Sequence, residues 1–70
     1  MAKLVIHNNI RQLRFAADEM TQEDLAISVG ITRQTVIALE KGRYYPSLEL
    51  AFRIAIHFKR PLEEIFRYEV

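Results

Sequence analysis

The sequence lacks several residue types on which folds and sites are often built: it has no cysteine, no tryptophan, two glycines and two prolines. Without cysteine it can form neither a disulfide nor a thiolate metal site. No apolar run approaches the ~20 residues that a membrane span requires, and the apolar stretch after Met1 is too short for a signal peptide. The two histidines, His7 and His57, are far apart and have no ligand-like spacing. We therefore expect a cytoplasmic protein that has no metal, no cofactor and no membrane association.

What is present is the composition of a small folded protein. The chain has 70 residues, of which 50% are hydrophobic, and its formal net charge is +1. Because a typical domain has ~150 residues, we expect a single domain over residues 1–70. A core of this size provides little net stability, and self-association is a natural way for such a chain to gain more.

The sequence also lacks the residue patterns of catalysis. It has no Ser/His/Asp or Cys/His set at a useful spacing and no glycine-rich phosphate loop, so we do not expect an enzyme. Its charges are unevenly distributed: four acids lie within residues 18–24, whereas Arg33, Lys41 and Arg43 outnumber Glu40 within residues 33–43. This distribution predicts local positive patches, or else a mixed solvated surface.

The spacing of the apolar residues predicts five helices, separated at Gly30, at residues 42–46 and at Pro61. We expect them to run from about Asn9 to Asp18, from after Thr21 to Gly30, from after Thr32 to Gly42, from Ser47 onward and from Pro61 onward. The fourth helix is apolar nearly all round, which predicts a central position with neighbours on several sides.

The two ends of the chain have the pattern of short strands. Residues 3–7 are rich in β-branched side chains, and residues 66–70 alternate between apolar and charged. Neither strand would be stable alone. We expect them to pair, within one chain or across a dimer, and the alternative is two frayed tails.

Residues 22–41 have the spacing of a helix-turn-helix. Ala26 is small where two helices must cross closely, Gly30 suits the turn, and Val36 and Leu39 can bury the junction. An ordinary helical hairpin in a small bundle is the alternative interpretation.

These residues resemble a known family, the Cro/phage-repressor (Xre-type) helix-turn-helix regulators, over about residues 9 to 66. The resemblance implies an all-α, compact five-helix Cro/repressor-like domain, and this chain is similar to the short members that contain little else. It further implies sequence-specific binding of double-stranded DNA as a homodimer, at a near-palindromic operator, to regulate transcription. We expect repression, because the chain has no room for an activation domain. The motifs that carry the resemblance are Thr21-Gln22-Glu23-Asp24-Leu25-Ala26, Val29-Gly30-Ile31-Thr32-Arg33-Gln34-Thr35-Val36, and Leu39-Glu40-Lys41-Gly42 with Pro46-Ser47.

The resemblance also implies roles for individual residues. Gln22 matches a glutamine that contacts a DNA phosphate, and Arg33 and Gln34 open the recognition helix, whose first residues meet base edges in the major groove. Arg14 and Glu40 match an ion pair between the first and third helices. The full predicted DNA-binding set is Gln22, Thr32, Arg33, Gln34, Thr35, Ala38, Lys41, Arg43 and Tyr44.

Phe52 and Ile56 are four residues apart on the predicted fourth helix and therefore share a face. We expect this face to form the dimer contact, and the alternative is that it fills the core of the monomer. The predicted dimer interface comprises Phe52, Ile56, Leu62, Phe66 and Tyr68.

Three features depart from the family pattern. One extra residue lies between Arg14 and Thr21, and Lys59 stands where the family favours glycine. Ile27, Ile37 and Ile56 occupy positions that are usually polar, and the first two are expected to be exposed or to meet DNA methyl groups or a partner. Ile27, Ile37 and the near-zero net charge favour an alternative function, an antitoxin-like module that docks a protein partner.

Overall fold

The computed structural model describes residues 5–69. Within them the chain forms four α-helices, one turn of 3₁₀ helix and a two-stranded sheet, so the predicted fifth helix is wrong, whereas the short terminal strands expected beside the helices form the sheet. None of these helices has the length and apolarity needed to cross a bilayer. The elements are β1 (Val5–Asn8), α1 (Ile10–Ala16), α2 (Gln22–Val29), α3 (Arg33–Glu40), α4 (Leu48–Phe58), the 3₁₀ turn (Leu62–Glu64) and β2 (Phe66–Glu69).

Helix α1 is shorter than its sequence pattern predicts. It ends at Ala16 rather than at Asp18, because Asp18 and Glu19 have positive φ angles of 59° and 57°. A non-glycine residue in this left-handed region costs about 1–2 kcal/mol. The residues between Arg14 and Thr21 therefore form a strained loop and not a longer helix, and the extra residue relative to the family stays a prediction.

The predicted helix-turn-helix is confirmed in its local structure. Thr21 and Asp24 form a reciprocal capping box at the start of α2. Gly30 ends α2 with a φ of 77°, a conformation that needs glycine, and a Cβ there would lie 3.3 Å from Nη1 of Arg53. Thr32 then caps α3 by accepting a hydrogen bond from the Thr35 N–H.

The core lies between the inner faces of the four helices and Ile65, which follows the 3₁₀ turn. Ala26 is almost fully buried, as the close crossing of α2 and α3 requires. Val29 is buried with it, as the sequence predicts. The largest fully buried side chains are Ile10, Leu25, Val36, Leu39, Ile54 and Ile65.

Helix α4 is buried on one side only. Its inner face, which includes Leu50 and Ile54, packs into the core. Leu48, Phe52 and Ile56, spaced four residues apart, remain 67%, 49% and 74% exposed. The prediction of neighbours on several sides is therefore wrong for this chain, and Phe52 and Ile56 do not fill the monomer core. We call Leu48, Phe52 and Ile56 the outer face of α4.

Helix α4 ends at a non-glycine residue in the left-handed conformation. Lys59 has φ 57° and ψ 43°, and the N–H of Arg60 donates to the Ala55 carbonyl. This is the hydrogen bond of a Schellman cap, which usually places glycine at the position of Lys59. Lysine at that position carries strain of about 1–2 kcal/mol.

The fifth predicted helix is a single 3₁₀ turn. Pro61 and the two acids of the first turn suit a helix locally. The chain must nevertheless become extended at once, because Phe66 pairs with Asn8 and the Ile65 carbonyl accepts a hydrogen bond from the Asn9 N–H. This long-range pairing leaves no room for a full α-helical turn.

The two predicted terminal strands pair antiparallel within one chain, with Val5 opposite Glu69 and Asn8 opposite Phe66. The first strand is predicted over residues 3–7, and residues 3 and 4 lie outside the described residues. The second strand is predicted over residues 66–70, and residue 70 also lies outside them.

Candidate nucleic-acid interface

The first turn of α3 presents two polar side chains outward. Arg33 and Gln34 are exposed, and within residues 5–69 the structure shows no hydrogen bond or ion pair from either one. The inner side of the same helix is anchored by Val36 and Leu39, both fully buried. A rigid helix therefore carries two hydrogen-bonding groups that have no partner in the described chain.

The two threonines of this turn serve the helix itself. Thr32 Oγ1 lies 3.2 Å from the Thr35 nitrogen and 2.9 Å from Thr35 Oγ1. The cap fixes where α3 starts and hence where Arg33 and Gln34 point. Ala38, one turn further along, is half-buried. All five predicted residues of α3 and its cap thus lie on one element, and their contacts with DNA remain predictions.

Gln22 stands at the start of α2 and is joined to α3. Its Nε2 donates to Glu40 Oε1 at 3.2 Å, which leaves the second Nε2 hydrogen for another acceptor. The first N–H groups of a helix also lack intrahelical partners. Glu23 and Asp24 lie in the same turn and reduce its positive potential, so a phosphate contact here depends on the Gln22 amide more than on the helix dipole.

Beneath Gln22 is a buried ion pair that joins α1 to α3. Arg14 donates through Nε and Nη2 to the two carboxylate oxygens of Glu40, and through Nη1 to the Met20 carbonyl at 2.8 Å. The two side chains are only 6% and 7% exposed. The predicted Arg14–Glu40 pair is confirmed, and its bidentate geometry fixes α1, α2 and α3 relative to one another.

The loop after α3 holds its basic residues close to the helix. Gly42 has a φ of 73°, and the N–H of Arg43 returns to the Ala38 carbonyl at 2.9 Å. Lys41, Arg43 and Tyr44 are all exposed immediately beyond the helix end. These are the positions predicted to contact the DNA backbone.

Sequence reasoning missed the role of Asn8. Its Nδ2 donates to the Leu39 carbonyl at 2.8 Å, near the end of α3, and its Oδ1 accepts from the Ile10 N–H at the start of α1. Asn8 therefore connects the sheet to α3. The sequence pattern indicated only that the first helix begins near this position, whereas the bond to α3 joins residues 31 positions apart in the chain.

The predicted dimer residues lie on another side of the molecule, on α4, the 3₁₀ turn and β2. Phe52, Ile56 and Tyr68 are exposed, whereas Leu62 and Phe66 are half-buried against the core. Leu62 and Phe66 share an apolar groove with Leu48, which the prediction omitted although it belongs to the same helical repeat. Contact with a second copy remains a prediction.

In residues 5–69, no three His, Asp or Glu side chains are grouped so that they could hold a metal ion.

Comparison with known proteins places these features in a family. A family model described as Helix-turn-helix matches residues 10–65. An HTH-type transcriptional regulator of Methanocaldococcus jannaschii is 53% identical over 62 residues, which cover 89% of this chain and 92% of that protein. The HTH-type transcriptional regulator YgzD of Bacillus subtilis is 47% identical over 62 residues, with the same coverage. The cryptic phage CTXphi transcriptional repressor RstR of Vibrio cholerae is 34% identical over 58 residues, which cover 83% of this chain and 51% of that protein.

The matched region contains α1 through the 3₁₀ turn, including the capping box, the turn glycine and the buried pair of the helix-turn-helix. The chain therefore belongs to the Xre/Cro-type helix-turn-helix family of transcriptional regulators.

Proposed function

We propose that residues 1–70 act as one domain that binds double-stranded DNA in a sequence-specific manner and reads the major groove with the first turn of α3. The observation that carries the proposal is the exposure of Arg33 and Gln34 on a helix whose other side is anchored in the core. Arginine forms bidentate hydrogen bonds to guanine and glutamine does so to adenine. Ala38 is placed one turn along, where its methyl group meets a thymine methyl.

The DNA backbone is contacted from both ends of the helix-turn-helix in this proposal. Gln22 binds a phosphate at the start of α2, and Lys41, Arg43 and Tyr44 bind phosphates beyond α3. Thr32 and Thr35 border the groove and fix the helix start. Such contacts supply affinity and orientation without sequence information.

The active form is proposed to be a homodimer formed through the outer face of α4 together with Leu62, Phe66 and Tyr68. Two large aliphatic side chains more than two-thirds exposed on one helix face, Leu48 and Ile56, support an apolar contact. A two-fold dimer places two recognition helices about 34 Å apart and reads a near-palindrome with half-sites about 10 bp apart.

Selection of bound sequences from a pool of random duplexes tests the function. The wild-type protein is expected to enrich a two-fold symmetric site, and the Arg33→Ala/Gln34→Ala double variant to lose that enrichment. Replacing Arg33 alone should cost about 1–3 kcal/mol and relax the preference at one base pair.

The matched control is Arg43→Ala, which also removes one exposed cation but from the backbone-contacting loop. It should weaken binding to all sequences alike. Equal losses on every sequence for Arg33→Ala and Arg43→Ala would contradict base reading by α3. A folded wild-type protein that enriches nothing would contradict the proposed function itself.

We further propose that the protein represses transcription, by occupying an operator that overlaps a promoter. One relative is named as a transcriptional repressor, although this chain covers only 51% of it. Deleting the protein should raise the output of a reporter driven by the selected operator and its promoter. A fall in output would mean activation instead.

A second candidate function is docking of a protein partner. The observation in its favour is Ile27, an aliphatic side chain that is 72% exposed on α2. Stoichiometric co-purification of a partner, lost on Ile27→Glu, would support this function, and its absence together with an enriched operator would exclude it.

A further inference from the structure

We propose that the DNA contact extends onto α1, where Arg11 binds a phosphate in a groove shared with α3. This inference rests on the proposed function and adds a contact that the helix-turn-helix alone does not supply. The groove is lined by Arg11, Arg14, Phe15, Gln22, Ile37, Glu40 and Lys41, which come from α1, α2 and the end of α3.

The charge of this groove favours an anion. Glu40 is its one carboxylate, and both oxygens of that carboxylate are engaged by Arg14, with Gln22 adding a further hydrogen bond. Arg11 and Lys41 are exposed, and within residues 5–69 no acid pairs with either. The groove therefore carries two uncompensated positive charges in an otherwise nearly neutral protein.

The position of Arg11 is supported from below by an aromatic ring. Phe15 is 52% exposed, and the guanidinium carbons of Arg11 and Arg14 lie 5.6 and 5.2 Å from the centre of its ring. This cation–π geometry restricts the Arg11 side chain before any ligand arrives. A preordered cation loses less conformational entropy when it binds a phosphate.

The groove also includes residues that are proposed to contact the DNA backbone. Gln22 and Lys41, both assigned to phosphates above, form part of its lining. Glu19 of the α1–α2 loop and Glu23 of α2 are not part of that lining. They line an adjoining depression beside Arg33, which shares Arg14, Phe15 and Gln22 with the groove. A duplex strand that contacts Gln22 and Lys41 therefore also passes Arg11, which lines the same groove.

The salt dependence of binding tests this contact on the selected operator duplex. Each neutralised phosphate contributes about 0.9 to the slope of log K against log salt concentration. Arg11→Gln keeps the aliphatic stem on Phe15 and removes the charge, and each proposed dimer carries two copies of Arg11, so the substitution should lower the slope by about 1.8. From about 50 to about 200 mM salt, the wild type should then lose about twelvefold more affinity than Arg11→Gln.

Two further variants make the test specific. Arg11→Lys retains the charge and should retain the wild-type slope. Arg60→Gln removes the charge of another exposed arginine, which lies outside the groove in the turn after α4 and pairs with Glu64, and it should leave the slope unchanged.

The proposed contact between Arg11 and a phosphate is contradicted if Arg11→Gln keeps the wild-type salt slope or if Arg60→Gln lowers the slope equally. It is also contradicted if Arg11→Lys shows the lowered slope of Arg11→Gln. Thermal unfolding of each variant verifies that it is folded. A wild-type protein that shows no salt-dependent binding to any selected duplex would instead overturn the proposed function, so the two failures are distinguishable.

Discussion

Replacing Glu40 with alanine is expected to lower the free energy of unfolding by about 3–5 kcal/mol, because it leaves the Arg14 guanidinium buried without its counter-charge. A chain of this length has a total stability of about 4–10 kcal/mol, so the loss is a large share of it. Urea denaturation followed by circular dichroism measures the change as a shift of the midpoint. Gln22 also loses its acceptor, so binding of the operator by the remaining folded protein should weaken further.

Glu49→Ala is the matched control for this prediction. Glu49 also pairs with an arginine, Arg53 at 3.7 Å, but the two side chains are 83% and 47% exposed. Such a pair contributes at most about 1 kcal/mol. Converting Arg14 and Glu40 together to leucine should recover part of the loss, because no unpaired charge is then buried. Equal midpoint shifts for Glu40→Ala and Glu49→Ala would contradict the structural importance of the buried pair.

Replacing Ile56 with glutamate is expected to convert the proposed dimer into a monomer. A carboxylate at the centre of an apolar contact loses its hydration without gaining a partner. Because the two protomers then bind their half-sites independently, the affinity for a duplex with two half-sites should fall by about 10²- to 10⁴-fold. Sedimentation velocity gives the oligomeric state, and titration of a labelled duplex gives the affinity.

Ile27→Glu is the matched control, since Ile27 is an isoleucine of nearly the same exposure, 72% against 74%, on a different helix. It should leave the sedimentation coefficient unchanged. A wild-type protein that sediments as a monomer at all concentrations, or an Ile56→Glu variant that remains dimeric, would contradict the proposed interface.

The parts of the fold that sequence predicted well depend on neighbours in the chain. Thr21, Thr32 and Ser47 cap the helices that they were expected to start, because a cap needs only a side chain and an N–H group three residues away. Gly30 ends α2 for the same local reason. The position of the first turn of α3, with Arg33 and Gln34 outward, follows directly from the Thr32 cap and from Gly30.

The parts that sequence predicted poorly depend on distant residues. Local pattern at Pro61 favoured a helix, but pairing of Asn8 with Phe66 decided the outcome. Apolar composition could not distinguish the buried side of α4 from its outer face, because both carry large aliphatic residues. The left-handed φ angles at Asp18 and Glu19 are unfavourable locally, so the pattern of α1 did not predict them.

The sheet has a consequence for the order in which the molecule opens. Its strands join Val5 to Glu69, almost the full length of the chain, so closing it carries the largest loop entropy in the fold. The helices gain most of their contacts nearer in sequence, as α2 and α3 do. We therefore expect the sheet to be the last cooperative unit to form and among the first to open in native-state hydrogen exchange.

Since Asn8 ends β1 and donates a hydrogen bond to the Leu39 carbonyl, each opening of the sheet also releases the end of α3. Binding of an operator, which needs α3 fixed, should in turn slow amide exchange in both strands of the sheet.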